Sequence, residues 1–232
     1  AWWAHEVGII DSAGLACLLI PELGMTLSGS DVATWTDQSA NGAVFAQEGA
    51  LALPEYLATG GPGGHGAVEF AGTPEALGTP HLAAHVSADM WIGGWCRPGN
   101  ALVASQTWWC KETNNANRLI LRCPGAVPPQ PNLTDAVGAK TCDNRLNMVS
   151  GIWGFSEYER HSGDSFTRFN MDFVAYDVTT YGSMGSPTAR LVLGVRNDGV
   201  TEPFTGRLSL MIHRTTTPLA SSGSFAFASH RP

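Results

Sequence analysis

Lysine occurs at only two positions of this 232-residue chain, Lys111 and Lys140. Charged residues of all kinds make up 14% of the sequence, and the formal net charge is −7. Surfaces that bind nucleic acid need clustered lysine and arginine to neutralise phosphates. The composition therefore excludes a nucleic-acid partner.

Long apolar runs are absent as well. A membrane-spanning helix needs about 18 or more apolar residues, and the longest run here, at residues 15–20, is stopped by Pro21. We expect no membrane partner. The first six residues carry neither a basic nor an apolar signal segment, which predicts a chain without an export signal. A mature chain whose signal has been removed is the alternative.

The five cysteines include no C-x-x-C pair, which argues against zinc ribbons, thioredoxin-like motifs and iron–sulfur sites. They are Cys17, Cys96, Cys110, Cys123 and Cys142. An odd number leaves at least one free thiol, which secreted proteins usually avoid. We therefore expect synthesis in a reducing cytosol, with most thiols free and with Cys17 and Cys123 buried as small apolar side chains.

Glycine and proline are plentiful, with 27 and 14 residues, and they separate short segments in which apolar and polar residues alternate. Alternation with a period of two predicts strands with one buried face. The predicted strands cover residues 67–70, 88–95, 102–104, 117–123, 147–153, 168–175, 190–196 and 206–212. Short strands at this spacing predict an all-β fold, an antiparallel two-sheet β-sandwich of the jelly-roll type. Residues 11–19 fit a short helix or a strand equally well.

The alternation also assigns residues to the buried faces of two predicted strands. These residues are Leu208, Leu210 and Ile212 in one strand, and Leu191, Leu193 and Val195 in another. The proline-rich residues 128–131 are expected to form a surface loop.

Paired carboxylates of the glycosidase type are missing. Retaining glycosidases need two carboxyls about 5 Å apart, and no glutamate here has an aspartate two residues later on the same strand face. Glu157 and Glu159 are the only acidic pair with this spacing, in a polar segment that we interpret as a solvated loop. We predict a protein without enzymatic activity or catalytic residues. A carbohydrate-active enzyme is the alternative.

Metal ligands follow no known motif. His81 and His85 have the i, i+4 spacing of a metalloprotease helix, but the glutamate that follows the first histidine in such helices is absent. We interpret both as surface or rim residues. Asn and Asp residues of the turns could donate oxygens to calcium, but they form no calcium motif. We predict no metal and no cofactor.

Tryptophan is abundant, with eight residues that include two adjacent pairs. Neighbours in a strand point to opposite faces, so at least one member of each pair should leave the core. An exposed indole serves as a sugar platform or an interface anchor. The candidate ligand or partner contacts are therefore Trp2, Trp3, Trp108 and Trp109. Partial burial within the same domain is the alternative, and for Trp2 and Trp3 it would place the N-terminal segment over its own sandwich.

One stretch resembles the opening of laminin-G-like, concanavalin A-like domains of bacteria and phages. Its residues Val32, Trp35, Asp37, Ser39, Asn41 and Gly42 match that family's V-x-x-W-x-D-x-S-G-N-G segment, with Ala40 in place of the first glycine. Family-like segments recur at residues 54–56, 67–72, 191–196 and 204–208. The resemblance implies a jelly roll in which Trp35 and Phe70 lie in the core. It also implies a structural turn formed by Asp37, Ser39, Asn41 and Gly42.

Members of that family serve as sugar-binding, adhesive or structural modules, so the resemblance implies binding without implying a reaction. We expect an aromatic arm at residues 1–11, a laminin-G-like domain at 12–219 and a tail at 220–232. The expected function is a non-catalytic recognition or assembly module. It would be a phage virion accessory protein, either a capsid decoration protein or a tail or fibre component. Capsid or tail subunits would be its partners, and it would form a homo-oligomer. A secreted or surface adhesin with a glycan ligand is the alternative.

Overall fold

The computed structural model describes residues 14–85, 90–99, 105–114, 117–123, 132–135, 141–143, 150–161, 164–169, 179–180, 188–196 and 198–215. Within these ranges the chain forms seventeen strands and two short 3₁₀ turns, Pro62–Gly64 and Ala83–His85. The strands are β1 (Leu15–Leu19), β2 (Met25–Ser28), β3 (Asp31–Thr36), β4 (Val44–Gln47), β5 (Glu55–Leu57), β6 (Ala67–Ala71), β7 (Leu77–Thr79), β8 (Met90–Pro98), β9 (Gln106–Asn114), β10 (Asn117–Cys123), β11 (Asn132–Asp135), β12 (Thr141–Asp143), β13 (Gly154–His161), β14 (Asp164–Phe169), β15 (Thr179–Thr180), β16 (Leu191–Leu193) and β17 (Thr205–Arg214).

The strands form two layers of antiparallel pairs. In the first layer β17 pairs with β1 and β6 along one edge and with β8 along the other, and the layer continues through β13 and β14 to β15. The second layer has the order β2–β3–β4–β7–β16–β9–β10–β11–β12. Strand β5 pairs with both β6 and β3 and joins the layers at one corner. The architecture is the antiparallel β-sandwich that the alternation predicts.

The main core lies between the two layers. Its largest buried rings come from both layers and the loop before β17: Trp35, Phe45, Phe70, Trp108 and Phe204, none more than 2% exposed. The Trp35 indole also donates a hydrogen bond to the carbonyl of Ile20, 3.1 Å away, so its polar atom is satisfied. The core positions that the resemblance implied for Trp35 and Phe70 are confirmed.

A second apolar cluster covers the outer face of the first layer. In β8, Met90 and Ile92 point into the main core, whereas Trp91 and Trp95 pack with Phe155 on the opposite face. Both faces of β8 are therefore buried, and this explains why its sequence is nearly continuously apolar.

The buried face predicted for β17 is wrong in part. Leu208 and Met211 lie in the main core, whereas Leu210 and Ile212 belong to the outer cluster. The register of β17 against β8 shifts between Leu208 and Met211. Such a bulge inserts one residue and reverses the alternation beyond it.

The buried face predicted for residues 190–196 is also wrong in part. Leu191 and Leu193 enter the main core, but Val195 packs in a small cluster elsewhere. Between them Gly194 has a φ of 91°, which ends the strand geometry. A side chain at Gly194 would overlap the ring of Phe70, so the position needs glycine.

Several other predicted segments can be compared with the structure. Residues 15–19 form strand β1, which resolves the choice between helix and strand. Glu157 and Glu159 lie within strand β13, so the loop interpretation is wrong. Residues 150–153, predicted as strand, precede β13 and are not part of it. Residues 102–104, 128–131 and 170–175 lie outside the described residues, as do the arm at 1–11 and the tail at 220–232.

Three cysteines are buried in the described part: Cys17, Cys96 and Cys110. The predicted burial of Cys17 is confirmed, and burial raises the pKa of its thiol well above the ordinary value. The side chains of Cys123 and Cys142 lie outside the described residues. Within the described ranges, no helix is long and apolar enough to cross a membrane.

Candidate functional site

A cleft of about 560 Å³ opens where β3, β5, β6, β17 and β8 come together. It lies at the corner that joins the two layers, and we call it the ladder cleft. Its lining residues are Asp31, Leu53, Glu55, Glu69, Phe70, Ala71, Glu75, Arg97, Pro98, Gly99, Gly151, Thr205, Gly206 and Arg207. This volume is within the range of about 300–1,000 Å³ that is typical of small-ligand sites.

Five charged residues cross the cleft in one row. Asp31 pairs with Glu55, Glu55 with Glu69, Glu69 with Arg207, and Arg207 with Arg97. Directly opposed residues of antiparallel strands carry their side chains on the same face of the sheet. The pairing therefore sets three carboxylates and two guanidinium groups side by side across five strands.

The two arginines are held differently. Arg207 donates from Nε to the Glu69 carboxylate at 2.8 Å, forming the one ion pair within the row. Arg97 donates from Nε to the carbonyl oxygen of Gly151 at 2.7 Å. This contact orients the Arg97 guanidinium, while its terminal nitrogens make no hydrogen bond with any described residue. Arg97 is thus a donor whose orientation is fixed at the lining of the cleft.

The acidic end of the row makes no ion pair or side-chain hydrogen bond with a described residue. Asp31 and Glu55 are exposed, and neither carboxylate hydrogen-bonds or forms an ion pair with a described residue. Like charges on directly opposed strand residues repel and destabilise the pair. These two exposed carboxylates lie at the cleft as hydrogen-bond acceptors.

Glu75 forms part of the wall of the cleft. Its carboxylate accepts hydrogen bonds from the Ala71 amide at 2.6 Å and from the Thr73 hydroxyl at 3.4 Å. Burial raises the pKa of Glu75; these hydrogen bonds oppose the rise, and the nearby carboxylates of Asp31 and Glu69 add to it. Its contacts hold the turn after β6, so Glu75 is engaged within the protein.

The floor of the cleft depends on Gly206, which has a φ of 144°. A side chain there would overlap the carbonyl oxygen of Arg97. Glycine therefore allows β17 to pass close to β8 directly below the row of charges.

Trp108 and Trp109 do not lie at this site. Each is 2% exposed, and the expectation that one of them leaves the core is wrong. The Trp108 ring packs against Phe204 and the Trp109 ring against His213. Adjacent strand residues point to opposite faces, but both faces of β9 are covered, so both indoles are buried. Trp2 and Trp3 lie outside the described residues.

The histidine pair is also placed differently from the prediction. His81 is exposed as expected, but His85 is completely buried. His85 lies near His213, with ring centroids 5.8 Å apart, and His81 Nδ1 lies 2.9 Å from the buried amine of Lys111. Among the described residues, no group of three or more His, Cys, Asp or Glu side chains could hold a metal ion.

The segment at residues 37–42 closes a turn against β1. Asp37 is buried and accepts hydrogen bonds from the amides of Leu18 and Ser39, each at 2.7 Å. The Asn41 side chain donates to a β1 carbonyl at 2.9 Å, and Gly42 has a φ of 56°. These contacts lie away from the ladder cleft.

Sequence reasoning missed every charged residue of the cleft. Glu69 and Arg207 do occupy polar positions of alternating strands, which is a signal for an outward face. Nothing local indicates that they meet, because 138 residues separate them.

Comparisons with known proteins identify the fold and no family. No family model matches the chain. No curated protein matches it either. The laminin-G-like resemblance is therefore not established.

Solved structures with a similar fold cover nearly the whole chain. One similar structure is that of domain 4 of AbnA, a GH43 extracellular arabinanase from Geobacillus stearothermophilus, in complex with arabinotriose. Its TM-score is 0.65 at 15% sequence identity, and the match covers 93% of this chain and 98% of that one. The binding domain of botulinum neurotoxin serotype D has a TM-score of 0.66 and 10% identity, with 97% and 52% covered. The type G receptor binding domain has a TM-score of 0.62 and 11% identity, with 94% and 51% covered. The chain thus spans about half the length of the neurotoxin domains, and at these identities the similarity establishes the fold alone: an antiparallel β-sandwich.

Proposed function

We propose that this protein is a non-catalytic recognition module that binds a carbohydrate chain in the ladder cleft. The observation that carries the proposal is the in-register row of Asp31, Glu55, Glu69, Arg207 and Arg97 along a cleft of about 560 Å³. The similar fold of an arabinanase domain, whose structure contains arabinotriose, supports it.

The chemistry of the row suits sugar hydroxyls. A hydroxyl both donates and accepts hydrogen bonds, so it can donate to a carboxylate of Asp31 or Glu55 and accept from the guanidinium of Arg97. Hydrogen bonds with one charged partner are stronger than neutral ones. Because Arg97 is already oriented by Gly151, little conformational entropy is lost when a ligand binds.

Calorimetric titration with a panel of oligosaccharides tests the proposal. We expect Arg97→Gln to weaken binding by tenfold or more, since hydrogen bonds to charged groups contribute about 1.5–3 kcal/mol. Arg190→Gln is the matched control, because Arg190 is exposed and pairs with Glu48 outside the cleft lining. Equal affinities of the two variants would overturn the assignment of the cleft.

The absence of catalysis is tested with the same oligosaccharides. We expect no new reducing ends after prolonged incubation, because Glu75, the cleft carboxyl whose pKa is raised, is engaged by the Ala71 amide. Hydrolysis that Glu75→Gln abolishes would show an enzyme instead. Glu157→Gln and Glu159→Gln serve as further variants.

We also propose that the module belongs to the laminin-G-like, concanavalin A-like jelly rolls and acts in a phage virion as a decoration, tail or fibre component. The buried thiol of Cys17, which forms no disulfide, supports assembly in a reducing cytosol. Immunodetection across density-gradient fractions is the test. Co-sedimentation with particles is expected, whereas recovery from the cell surface alone would favour the adhesin alternative.

For the assembly itself we propose a homo-oligomer in which Trp2 and Trp3 contact another subunit. Aromatic residues are favoured anchors of interfaces. Deleting residues 1–6 should lower the oligomer mass measured by light scattering. An unchanged mass with a lower melting temperature would show that the segment packs on its own domain.

A further inference from the structure

We propose that the carbohydrate is a linear oligosaccharide with free amino groups, and that an ammonium group binds between Asp31 and Glu55. This inference rests on the proposed function, because it names the ligand of the same cleft. It is argued from the charge order of the row, from the groups left unpaired in it and from its length.

The charges of the row are segregated. Its order is Asp31, Glu55, Glu69, Arg207, Arg97, so three carboxylates lie at one end and two guanidinium groups at the other. Glu69 and Arg207 neutralise each other at the centre through their 2.8 Å contact. At the acidic end neither Asp31 nor Glu55 forms an ion pair with a described residue, and at the opposite end the oriented guanidinium of Arg97 forms none with one either.

An anionic sugar fits this cleft poorly. Counting the wall residue Glu75, four carboxylates face two guanidinium groups, and the whole chain carries a net charge of −7. Of the two guanidinium groups, Arg207 already pairs with Glu69, so an acidic sugar would meet one cationic group, Arg97, and would be repelled by the remaining carboxylates. A neutral sugar could bind, but it would leave the repulsion between Asp31 and Glu55 unrelieved.

A sugar ammonium group relieves that repulsion directly. It has three N–H donors, and N–H to carboxylate contacts of about 2.7–2.9 Å are the strong, charge-assisted kind. A calcium ion is another cation that carboxylates bind, but it needs about six to eight oxygen ligands. The described residues hold no group of three carboxylates close enough to bind a metal ion.

The length of the row indicates an oligosaccharide. Five neighbouring strands include four inter-strand spacings of about 4.8 Å, so the row extends for about 19 Å. One sugar ring cannot reach from Asp31 to Arg97 over this distance. The affinity should therefore rise with each added sugar unit until the row is covered.

The experiment compares three tetramers at pH 6 by calorimetry: β-1,4-linked glucosamine, its N-acetylated form and galacturonic acid. The first two share one backbone and differ in the charge on nitrogen. We expect the glucosamine tetramer to bind at least tenfold more tightly than the acetylated one, and the galacturonic acid tetramer to bind most weakly. The glucosamine monomer should bind more weakly than the tetramer.

The double variant Asp31→Asn/Glu55→Gln keeps the shape of both exposed side chains and removes their charge. We expect it to reduce the preference for glucosamine to less than threefold while binding of the acetylated tetramer is retained. Glu22→Gln is the control for removing a carboxylate charge elsewhere, because Glu22 lies outside the cleft lining, where it accepts a hydrogen bond from the Gly66 amide at 2.7 Å. It should leave the preference unchanged.

The outcomes separate the two proposals. If the free and acetylated tetramers bind equally and both depend on Arg97, the amino-sugar inference is wrong and the recognition module stands. If no tetramer binds, or if Arg97→Gln leaves the affinity unchanged, the proposed function itself is wrong. Calcium or a tetralysine peptide binding as tightly as the glucosamine tetramer would overturn the assignment to a sugar.

Discussion

Acidification should destabilise this protein through His85 and His213. Both imidazole rings are buried, at 0% and 1% exposure, and the nitrogens of His213 have no hydrogen-bond partner among the described residues. The buried amine of Lys111 lies in the same region, and the edge of the Trp109 ring packs against His213. Asp37 is the nearby acid that favours a charge on His85. A proton on either ring would therefore enter an apolar region that already contains a positive charge.

The pKa values give the sign and the size of the effect. Burial lowers the pKa of His85 to about 4 from 6.5; Lys111 and His81 add to the lowering, whereas Asp37 and a hydrogen bond with the Ala16 backbone oppose it. Burial lowers the pKa of His213 to about 3, with His85 and Lys111 adding to it. Below pH 6.5 the unfolded chain binds protons that the folded chain does not, so the free energy of unfolding falls as the pH falls. Between pH 7 and pH 5 each histidine should remove about 2 kcal/mol.

The assay is urea denaturation followed by tryptophan fluorescence at pH 7 and pH 5. The measured quantity is the change in unfolding free energy between the two pH values, so any constant loss of stability in a variant cancels. We expect His213→Gln to make this change smaller by about 2 kcal/mol, and His85→Gln with His213→Gln by about 4 kcal/mol.

The control is His65→Gln, because His65 is partly exposed and contacts Glu22 at 3.1 Å on the surface. It should alter the pH dependence by less than about 0.5 kcal/mol. A double histidine variant with the same pH dependence as the original protein would refute the reasoning.

Three further predictions concern stability, each measured by urea denaturation. Lys111→Met should raise the free energy of unfolding by about 2 kcal/mol at pH 7, because burial lowers the pKa of Lys111 to about 8 and its positive charge therefore destabilises the fold. This gain should shrink as the pH approaches 10, where Lys111 is neutral in the folded protein. Trp108→Ala and Trp109→Ala should each cost about 3–5 kcal/mol, because both rings are buried; a cost below 1 kcal/mol would contradict this. Asp37→Ala should cost about 3 kcal/mol and Ser39→Ala about 1 kcal/mol of stability. The two side chains share one hydrogen bond, but Asp37 also accepts a hydrogen bond from the Leu18 amide in β1, so equal costs would show that the contact with β1 is unimportant.

The fold class could be predicted because strand alternation is local. Segments such as β6 and β17 show their period of two within a few residues, and the pattern depends only on which side chains avoid water. The same argument failed where the backbone departs from the ideal strand. The bulge between Leu208 and Met211 and the positive φ of Gly194 each reversed the pattern. A glycine within a strand pattern is a local signal of such a departure, whereas no local signal marks the bulge.

Burial of polar and aromatic residues was less predictable. The sequence around Trp108 and Trp109 reads as a strand, but only the arrangement of the layers covers both of its faces. His85 illustrates the same limit, since it is buried because the Ala83–His85 turn packs close to β1 and near His213.

The sequence by itself determined that this chain forms a β-sandwich with a negative charge and a buried Cys17, because composition and alternation are properties of neighbouring residues. Only the tertiary structure decided where the site is. Asp31, Glu55, Glu69, Arg207 and Arg97 come from five strands, and their shared row depends on the register of each strand against the next. A shift of one residue in any of these pairings would turn a charge to the opposite face and break the row. Register is set when the sheets assemble around the common core, so it follows from contacts between distant residues.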